Sequence, residues 1–530
     1  MPARARPLAW HHALALLLAF FAAAMSALVS RAVFERLPHL EDEVAYLYQA
    51  KTLAGGQLVI PIPEPRRAYW QPFVVDYGPS GMRFGKYSPG WPLLLAPGVL
   101  AGQPWLVNAL CAALTVALVY RLGRELFGPD VGVIAAALTA FSPMALLLNG
   151  TLMGHTAALT CAVLFMYALW RIERGRHALR WGLLGGAALG LLVINRPLTA
   201  VGLGAPFIAY TGLRLLLAGR GGWGVFGAAL RPLLALGALT LAVSAAIPLY
   251  NYAATGDPAQ NLYTLVWPYD RVGFGECCGR SGHTLEKGVR HLRFDLSLLA
   301  ADLYGWQLGD ITPELQEHLR TESGYWPLLG LSWVLLPAGL LVGARRRWTW
   351  LLALSAISLV AAHAAYWIGS QRYSTRYYFE ALAALSLISA LPLAWLVRRS
   401  GRRWLVYGAL AAALVYSLYA YSTPRINALY GFNEISRATL DAIEARRDGA
   451  RPALVLVSGP ASGDNRVRWR ALGALMAVTS PYLDSEIVGA WDTQQPGVRA
   501  AILDRFPDRQ VIEMRAEGNR AEFADAAGGG

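Results

Sequence analysis

Three consecutive carboxylates, Glu41, Asp42 and Glu43, stand just after the first long apolar segment of the chain. A carboxylate held near a membrane surface can take a proton from an attacking hydroxyl group and so act as a general base. The alternative is a solvated acidic face, because consecutive residues of a helix point in different directions. The residue types alone leave both interpretations open.

Four cations could hold an anionic group close to these carboxylates. Lys86 lies in a turn rich in Pro and Gly, and Arg196 lies at the tip of a short turn between two apolar segments. Arg372 and Arg376 share a third turn with several tyrosines. A guanidinium is a planar fork of donors that suits phosphate oxygens. The alternative for Lys86 is an ammonium that reaches up to the lipid headgroups.

Polar side chains that could contact a substrate accompany these cations. Tyr377 belongs to the turn with Arg376, although an interfacial aromatic belt would also explain its tyrosines. His155 begins another apolar segment, where a structural histidine is the alternative. The sequence shows no spacing typical of metal ligands, so we predict no metal site and leave a divalent cation open as a cofactor.

The composition places these residues in a membrane protein. Of 530 residues, 55% are hydrophobic and 15% are charged, and the mean hydropathy is +0.37, which is too apolar for a soluble globular protein. About eleven segments are long and apolar enough to cross a bilayer. They cover residues 10–29, 104–122, 131–148, 154–170, 181–194, 198–217, 225–249, 326–343, 348–368, 376–397 and 403–422. We therefore predict a polytopic α-helical protein of the cell membrane.

The positive charges predict its orientation. The net charge of +13 comes largely from Arg clusters in every second loop, on the side of Arg4 and Arg6, which is typical of cytoplasmic loops and disfavours nucleic acid as a partner. We expect the first apolar segment to be an uncleaved span with a cytoplasmic N-terminus. The loops 31–103 and 250–325, and the C-terminus, are then extracytoplasmic.

Residues 423–530 differ in character from the rest. Short strands are expected at 453–458, 486–491 and 510–514, and helices at 438–447 and 468–478. We predict a transmembrane catalytic domain over 1–422 and a small extracytoplasmic α/β cap domain over 423–530.

The first outer loop resembles a known superfamily. Asp-Glu-Val-Ala-Tyr at 42–46, Gly-Gly at 55–56 and Leu-Val-Ile-Pro at 58–61 are similar to the corresponding loop of GT-C membrane glycosyltransferases. Within that superfamily, the lipid A aminoarabinose transferases and protein O-mannosyltransferases are the most similar. The segment 84–92 resembles their Lys-Pro-Pro motif only in part, because Tyr and Ser separate Lys86 from the first Pro.

The resemblance implies a fold and a reaction. Asp42 would be the catalytic base, with Glu43 beside it, and Tyr46 and His155 would contact substrate. Lys86 and Arg196 would bind the donor phosphate. The donor would be a sugar on a polyprenyl phosphate and the acceptor a hydroxyl of a lipid, glycan or protein, with inversion at the sugar carbon.

Two other functions compete with glycosyl transfer. A transporter or flippase of a lipid-linked sugar would also need many spans and outer cations, although no internal repeat of the kind common in transporters is evident. A non-catalytic scaffold for envelope assembly is the third alternative. No Gly-rich nucleotide-binding motif follows a predicted strand, which favours a lipid-linked donor over a nucleotide sugar.

Overall fold

The computed structural model describes residues 10–308, 329–370, 372–459 and 465–524, with the backbone alone at 465–467. The long helices are α1 (Trp10–Ala32), α4 (Trp105–Phe127), α7 (His155–Glu173), α8 (Ala178–Asn195), α9 (Pro197–Gly219), α10 (Trp223–Ser244), α13 (Leu285–Asp302), α15 (Arg347–Ala364), α16 (Leu382–Arg399) and α17 (Arg403–Ser417). The shorter helices are α2 (Glu41–Ala54), α3 (Gly90–Leu100), α5 (Pro129–Ala140), α6 (Pro143–Asn149), α11 (Ala246–Thr255), α12 (Tyr263–Val266), α14 (Leu335–Gly343), α18 (Thr423–Asn427), α19 (Arg437–Glu444), α20 (Asn465–Val478) and α21 (Val498–Arg505).

The predicted α-helical membrane architecture is confirmed. The described residues contain eight helices that are long and apolar enough to cross a membrane, or nine if α5 and α6 form one span bent by 59°. Two predicted spans fall short of that criterion. The segment 326–343 lies partly outside the described residues, and in α15 polar residues such as Arg347 and His363 lower the mean hydropathy of an 18-residue helix.

The helices divide into interior and lipid-facing ones. In α7, 78% of the apolar window is buried inside the protein, and in Arg376–Arg399 the figure is 83%, whereas Trp223–Thr255 has only 6% of its window buried. A helix that exposes apolar side chains on most of its surface is stable only against lipid. The two interior helical segments begin at His155 and Arg376. Both predicted site residues therefore lie at the ends of helices that are packed inside the bundle.

A small sheet in the long loop between α1 and α4 positions Lys86. Strands β1 (Ile60–Pro61), β2 (Val74–Tyr77) and β3 (Met82–Gly85) are antiparallel in the order β1-β3-β2. Lys86 follows β3 directly. Helix α3 then begins at Gly90, where an added Cβ would lie 2.5 Å from the backbone carbon of Ile194. This close approach requires glycine and brings the Lys86 turn against the turn that carries Arg196.

The C-terminal region forms the expected α/β unit. Its strands β4 (Ala453–Ser458), β5 (Ile487–Asp492), β6 (Gln510–Glu517) and β7 (Arg520–Phe523) lie in the order β5-β4-β6-β7. The first three are parallel to one another, and β7 is antiparallel to β6. The sequence patterns predicted β4, β5, β6, α19 and α20 but not α21 or β7, because the latter two lack a clear apolar periodicity.

The cap packs directly on the helix that carries the three carboxylates. Leu37 and Val44 share a buried apolar cluster with Ile435, Ile443 and Trp469 of the C-terminal region. Burial of apolar surface of this kind is the main stabilising contribution to packing. The cap and the first loop therefore lie on the same side of the helical bundle.

Candidate functional site

A cavity of about 440 Å³ lies where the first loop, the α8–α9 turn, the loop after α11 and the turn before α16 meet. Eight of the nine predicted site residues line it, namely Asp42, Tyr46, Lys86, His155, Arg196, Arg372, Arg376 and Tyr377. These residues come from segments as far apart in sequence as positions 42 and 377. The roles predicted for them remain predictions.

Asp42 lies in the first turn of α2, where the free backbone N–H groups of the helix favour a negative charge. Its Oδ1 accepts a hydrogen bond from the Tyr87 hydroxyl, and its Oδ2 accepts one from Arg376 Nη1 at 2.8 Å. Burial raises the pKa of Asp42, but Arg376, Tyr87 and Lys86 outweigh it and hold that pKa below its usual value. Asp42 is therefore ionised at neutral pH, as a base must be.

Lys86 is enclosed by aromatic rings. Its Nζ lies 3.9 Å from the ring centroid of Phe73, 4.5 Å from that of Trp267 and 5.1 Å from that of Tyr263. Asp270 Oδ2 lies 3.5 Å from Nζ, and both side chains are almost fully buried. Burial lowers the pKa of Lys86, while Asp270 acts in the opposite direction.

Arg196 is held by a carboxylate that lies deep in the bundle. Its Nε is 2.9 Å from Glu380 Oε1 and also donates a hydrogen bond to Thr199 Oγ1 at 3.2 Å. Glu380 is fully buried, and Arg196 is only 14% exposed. This pair fixes one edge of the guanidinium.

Arg372, which also lines the cavity, has an acidic partner as the other three cations do. Its Nη1 lies 3.1 Å from Glu41 Oε2, and both side chains are partly exposed. Each of the four predicted phosphate-binding cations therefore has one acidic partner within 4 Å. The pairs are Asp42 with Arg376, Asp270 with Lys86, Glu380 with Arg196 and Glu41 with Arg372.

Glu43 does not line the cavity. Its Oε2 accepts hydrogen bonds from the backbone N–H groups of His39 and Leu40 and from the Tyr373 hydroxyl. Its Oε1 accepts one from the Leu152 backbone at 2.7 Å. Burial raises the pKa of Glu43 to about 7 against these hydrogen bonds. The geometry fits a helix cap and an anchor between segments, and the predicted catalytic role for Glu43 has no support from its position.

The three residues predicted to contact substrate differ in the contacts they make with the rest of the protein. His155 is buried, and neither ring nitrogen has a hydrogen-bond partner among the described residues. The ring of Tyr46 lies 4.5 Å from that of Tyr87, and Tyr377 stacks on His363 with centroids 5.2 Å apart. The His155 nitrogens are therefore free of hydrogen bonds from the described residues, whereas the two tyrosine rings pack against other rings.

Sequence reasoning missed two acids and most of the aromatic wall. Glu380 could have been found, because a carboxylate inside a predicted apolar span is a functional candidate by default. Asp270, Phe73 and Trp267 carry no such signal in the sequence. Within the described ranges, no three His, Cys, Asp or Glu side chains come together as a metal site.

Comparisons with known proteins give this arrangement a context. A family model described as dolichyl-phosphate-mannose-protein mannosyltransferase matches residues 100–250. The crystal structure of ArnT from Cupriavidus metallidurans in the apo state superposes with a TM-score of 0.55 at 13% identity, covering 95% of this chain and 90% of that one. The chain has the fold of a GT-C glycosyltransferase. The fold implied by the GT-C resemblance is thereby confirmed.

Two further solved structures are similar to the chain. ArnT from the same organism bound to undecaprenyl phosphate has a TM-score of 0.54 at 15% identity, covering 95% of this chain and 89% of that one. The oligosaccharyltransferase AglB from Archaeoglobus fulgidus is 17% identical, with coverages of 84% and 62%, and its TM-score is lower at 0.48. Among curated proteins, none matches the chain significantly.

Proposed function

We propose that this GT-C protein transfers a sugar from a polyprenyl phosphate to a hydroxyl acceptor at the extracytoplasmic face of the membrane. The observation that supports it most is the gathering of an ionised carboxylate, Asp42, with four cations in one cavity. The binding of undecaprenyl phosphate by ArnT, which shares the fold, supports the choice of a lipid-linked donor.

The proposed reaction is a single displacement. The acceptor oxygen attacks the anomeric carbon of the sugar while the bond from that carbon to the phosphate oxygen breaks. Asp42 takes the proton of the acceptor hydroxyl, and the polyprenyl phosphate leaves with the electron pair of the broken bond. Attack on the face opposite the leaving group inverts the sugar carbon.

The ion pairs of the cavity suit a phosphate that changes charge during the reaction. A phosphodiester carries one negative charge and the departing phosphate carries more, so fixed cations stabilise the later stages more than the bound donor. Arg196 and Lys86 are each held in place by a buried carboxylate, which orients them before the donor arrives. We assign Lys86, Arg196, Arg372 and Arg376 to the donor phosphate.

Replacement of the base tests the proposal directly. Asp42→Asn keeps the shape of the side chain but removes the proton acceptor, so transfer from polyprenyl-phosphate sugars should fall about 10²- to 10⁴-fold while donor affinity changes little. Glu64→Gln alters an exposed carboxylate of the same loop and should leave the rate unchanged. A folded Asp42→Asn protein that transfers at the wild-type rate would refute the role of Asp42.

The phosphate assignment has a separate test. Lys86→Gln removes the ammonium from its aromatic enclosure, and the donor should bind about tenfold more weakly or worse, as expected for loss of a charge-assisted hydrogen bond. Binding of a polyprenyl phosphate without sugar, measured by isothermal titration, gives the affinity independently of turnover. Equal affinities of Lys86→Gln and wild type would exclude Lys86 from phosphate binding.

A further inference from the structure

Two adjacent cysteines lie in the loop that joins α12 to α13. Cys277 is exposed, whereas Cys278 is only 2% exposed, and their Sγ atoms lie 2.7 Å apart. A disulfide bond is about 2.05 Å long, so the two sulfur atoms already lie close to bonding distance. The proposed transfer reaction uses neither thiol. The pair is therefore a candidate site for a separate chemistry.

The backbone around the pair forms a short closed loop, residues 275–283, which we call the cysteine loop. Gly275 and His283 exchange backbone hydrogen bonds at 2.8 and 2.9 Å and so close its two ends. The Cys278 N–H donates a further hydrogen bond to the Gly275 carbonyl oxygen at 3.3 Å. Because the backbone is already ordered by these bonds, a bond between the two side chains costs little additional conformational entropy.

The cysteine loop packs behind the wall of the cavity that contains Asp42. The Gly279 N–H donates a hydrogen bond to the Tyr269 carbonyl oxygen at 2.8 Å. A Cβ added to Gly279 would lie 2.9 Å from the Cβ of Trp367. Trp367 lines the cavity, and its indole N–H donates to Asp270 Oδ1 at 2.9 Å. The residue that follows the cysteine pair therefore packs on the side chain that holds Asp270.

We propose that Cys277 and Cys278 form a reversible disulfide bond that braces this wall of the cavity. The proposal rests on the extracytoplasmic location proposed together with the function, because disulfides persist outside the reducing cytosol. Adjacent Cα atoms are about 3.8 Å apart, which is closer than the Cα atoms of ordinary disulfides. We therefore expect a bond that mild reductants open.

The oxidant is an external organic disulfide, and the reaction is a thiol–disulfide exchange in two steps. The exposed Cys277 thiolate attacks one sulfur of the external disulfide, forms a mixed disulfide and releases the first thiolate. The Cys278 thiolate then attacks Cys277 Sγ, and the second external thiolate leaves. The two cysteine protons pass through water to the released thiolates. The cysteine pair is thus oxidised by two electrons, and the external disulfide is reduced to two thiols.

A thiol count on the purified full-length protein tests the bond. Of the four cysteines, Cys111 in α4 and Cys161 in α7 serve as internal controls. After incubation with oxidised glutathione, unfolding in the presence of a maleimide should label only these two. The peptide with residues 277–278 should then be lighter by two hydrogen atoms than after treatment with dithiothreitol. Maleimide on both residues 277–278, or a stable glutathione adduct on Cys277, would overturn the proposal.

Labelling of intact cells separates the bond from its compartment. A membrane-impermeant maleimide should label the peptide with residues 277–278 only after a membrane-impermeant phosphine has reduced the bond. Labelling without the phosphine would show that the loop lies outside and that the bond is absent, which refutes the disulfide alone. Labelling only after the membrane is permeabilised would refute the outer location of the loop, and with it the proposed transfer at the outer face and the disulfide that depends on this location.

Amide hydrogen exchange tests whether the bond braces the wall. Reduction should speed the exchange of the Asp270 and Gly279 amides by about threefold to tenfold, because opening the cross-link frees the locally unfolded loop. The double variant Cys277→Ser with Cys278→Ser should exchange as reduced wild type does and should not respond to reductant. The amides of α7 should exchange equally in all forms. Equal exchange of Asp270 and Gly279 in oxidised and reduced wild type would refute the bracing role.

Discussion

Asp270 is the acidic partner of Lys86, although the two residues belong to loops far apart in the sequence. Its Oδ1 accepts hydrogen bonds from the Tyr366 hydroxyl and the Trp367 indole at 2.8 and 2.9 Å, which leaves Oδ2 facing the ammonium. Burial among aromatic rings lowers the pKa of Lys86, and Asp270 acts in the opposite direction. We therefore propose that Asp270 is a positioning residue that favours the charged form of Lys86.

Asp270→Asn should shift the pH dependence of donor binding. The amide oxygen can still accept from Tyr366 and Trp367, but it no longer stabilises the ammonium, so the pKa of Lys86 falls further below its usual value. As the pH rises, the variant should therefore lose donor affinity at a lower pH than wild type does. Titrations of a polyprenyl phosphate at several pH values measure this shift.

An exposed acid in the same loop provides the control for that experiment. Asp257→Asn should leave the pH dependence as it is in wild type. A purely structural role for Asp270 would instead weaken donor binding by the same factor at every pH, without moving the curve.

The residues of the site were predictable to different degrees for physical reasons. Asp42, Lys86 and Arg196 stand in short polar turns beside apolar segments, where a costly charge is visible in the sequence itself. The sequence does not show which acid each cation will contact, although Glu380 stands out as a carboxylate inside a predicted span. Glu380 and Asp270 each lie 184 positions from the cation they contact, and only folding brings them together. Glu43 has the same chemistry as Asp42, but the two side chains point in different directions on the helix, and only Asp42 lines the cavity.

At the scale of elements, one buried carboxylate ties the turn of Arg372 and Arg376 to the rest of the bundle. Asp302, at the end of α13, forms an ion pair with Arg425 of α18 at 2.6 Å. It also accepts hydrogen bonds from Tyr421 and from Ser374 in that turn. The Asp302 side chain therefore joins α13, the segment 421–425 and the turn of Ser374. Its contact with Ser374 helps to fix the turn that carries Arg372 and Arg376.

Asp302→Asn should destabilise the protein and weaken donor binding together. Removal of the negative charge leaves the partly buried Arg425 without its counter-ion, at a cost below the ~3–5 kcal/mol typical of fully buried pairs. The double variant Asp302→Asn with Arg425→Met removes both charges and should recover much of the lost Tm. Thermal unfolding of the two variants measures this recovery. A single variant as stable as wild type would show that the pair does not hold the turn.

Sequence patterns were sufficient to predict most of the membrane spans and some of the cap strands. Long apolar runs predicted α1, α4 and α7 well, because a bilayer imposes length and hydropathy on any helix that crosses it. The bend of 59° between α5 and α6 could not be read from hydropathy, which counts apolar residues but not their direction. The cap strands β4 and β5 were predictable because mainly apolar runs of that length form buried parallel strands.

At the scale of the whole molecule, the contacts of α2 relate the site to the cap. Lys51 Nζ donates hydrogen bonds to the Ala477 and Thr479 carbonyl oxygens at the end of α20, at 2.6 and 3.0 Å. The Tyr482 hydroxyl donates one to the Thr52 carbonyl oxygen at 2.9 Å. The helix that begins with the proposed base is thus fixed at its far end by the cap, and both must lie in the same compartment.

Cysteine labelling in intact cells tests that compartment. In a variant whose four native cysteines are replaced, Asp508→Cys in the cap should react with a membrane-impermeant maleimide added outside. Arg176→Cys, in an exposed Arg-rich turn between α7 and α8, should react only after the membrane is permeabilised. The opposite pattern would place the cap, and with it α2 and Asp42, in the cytoplasm. Because the cap and α2 are joined by direct hydrogen bonds, that result would move the proposed transfer to the inner face rather than separate the cap from the site.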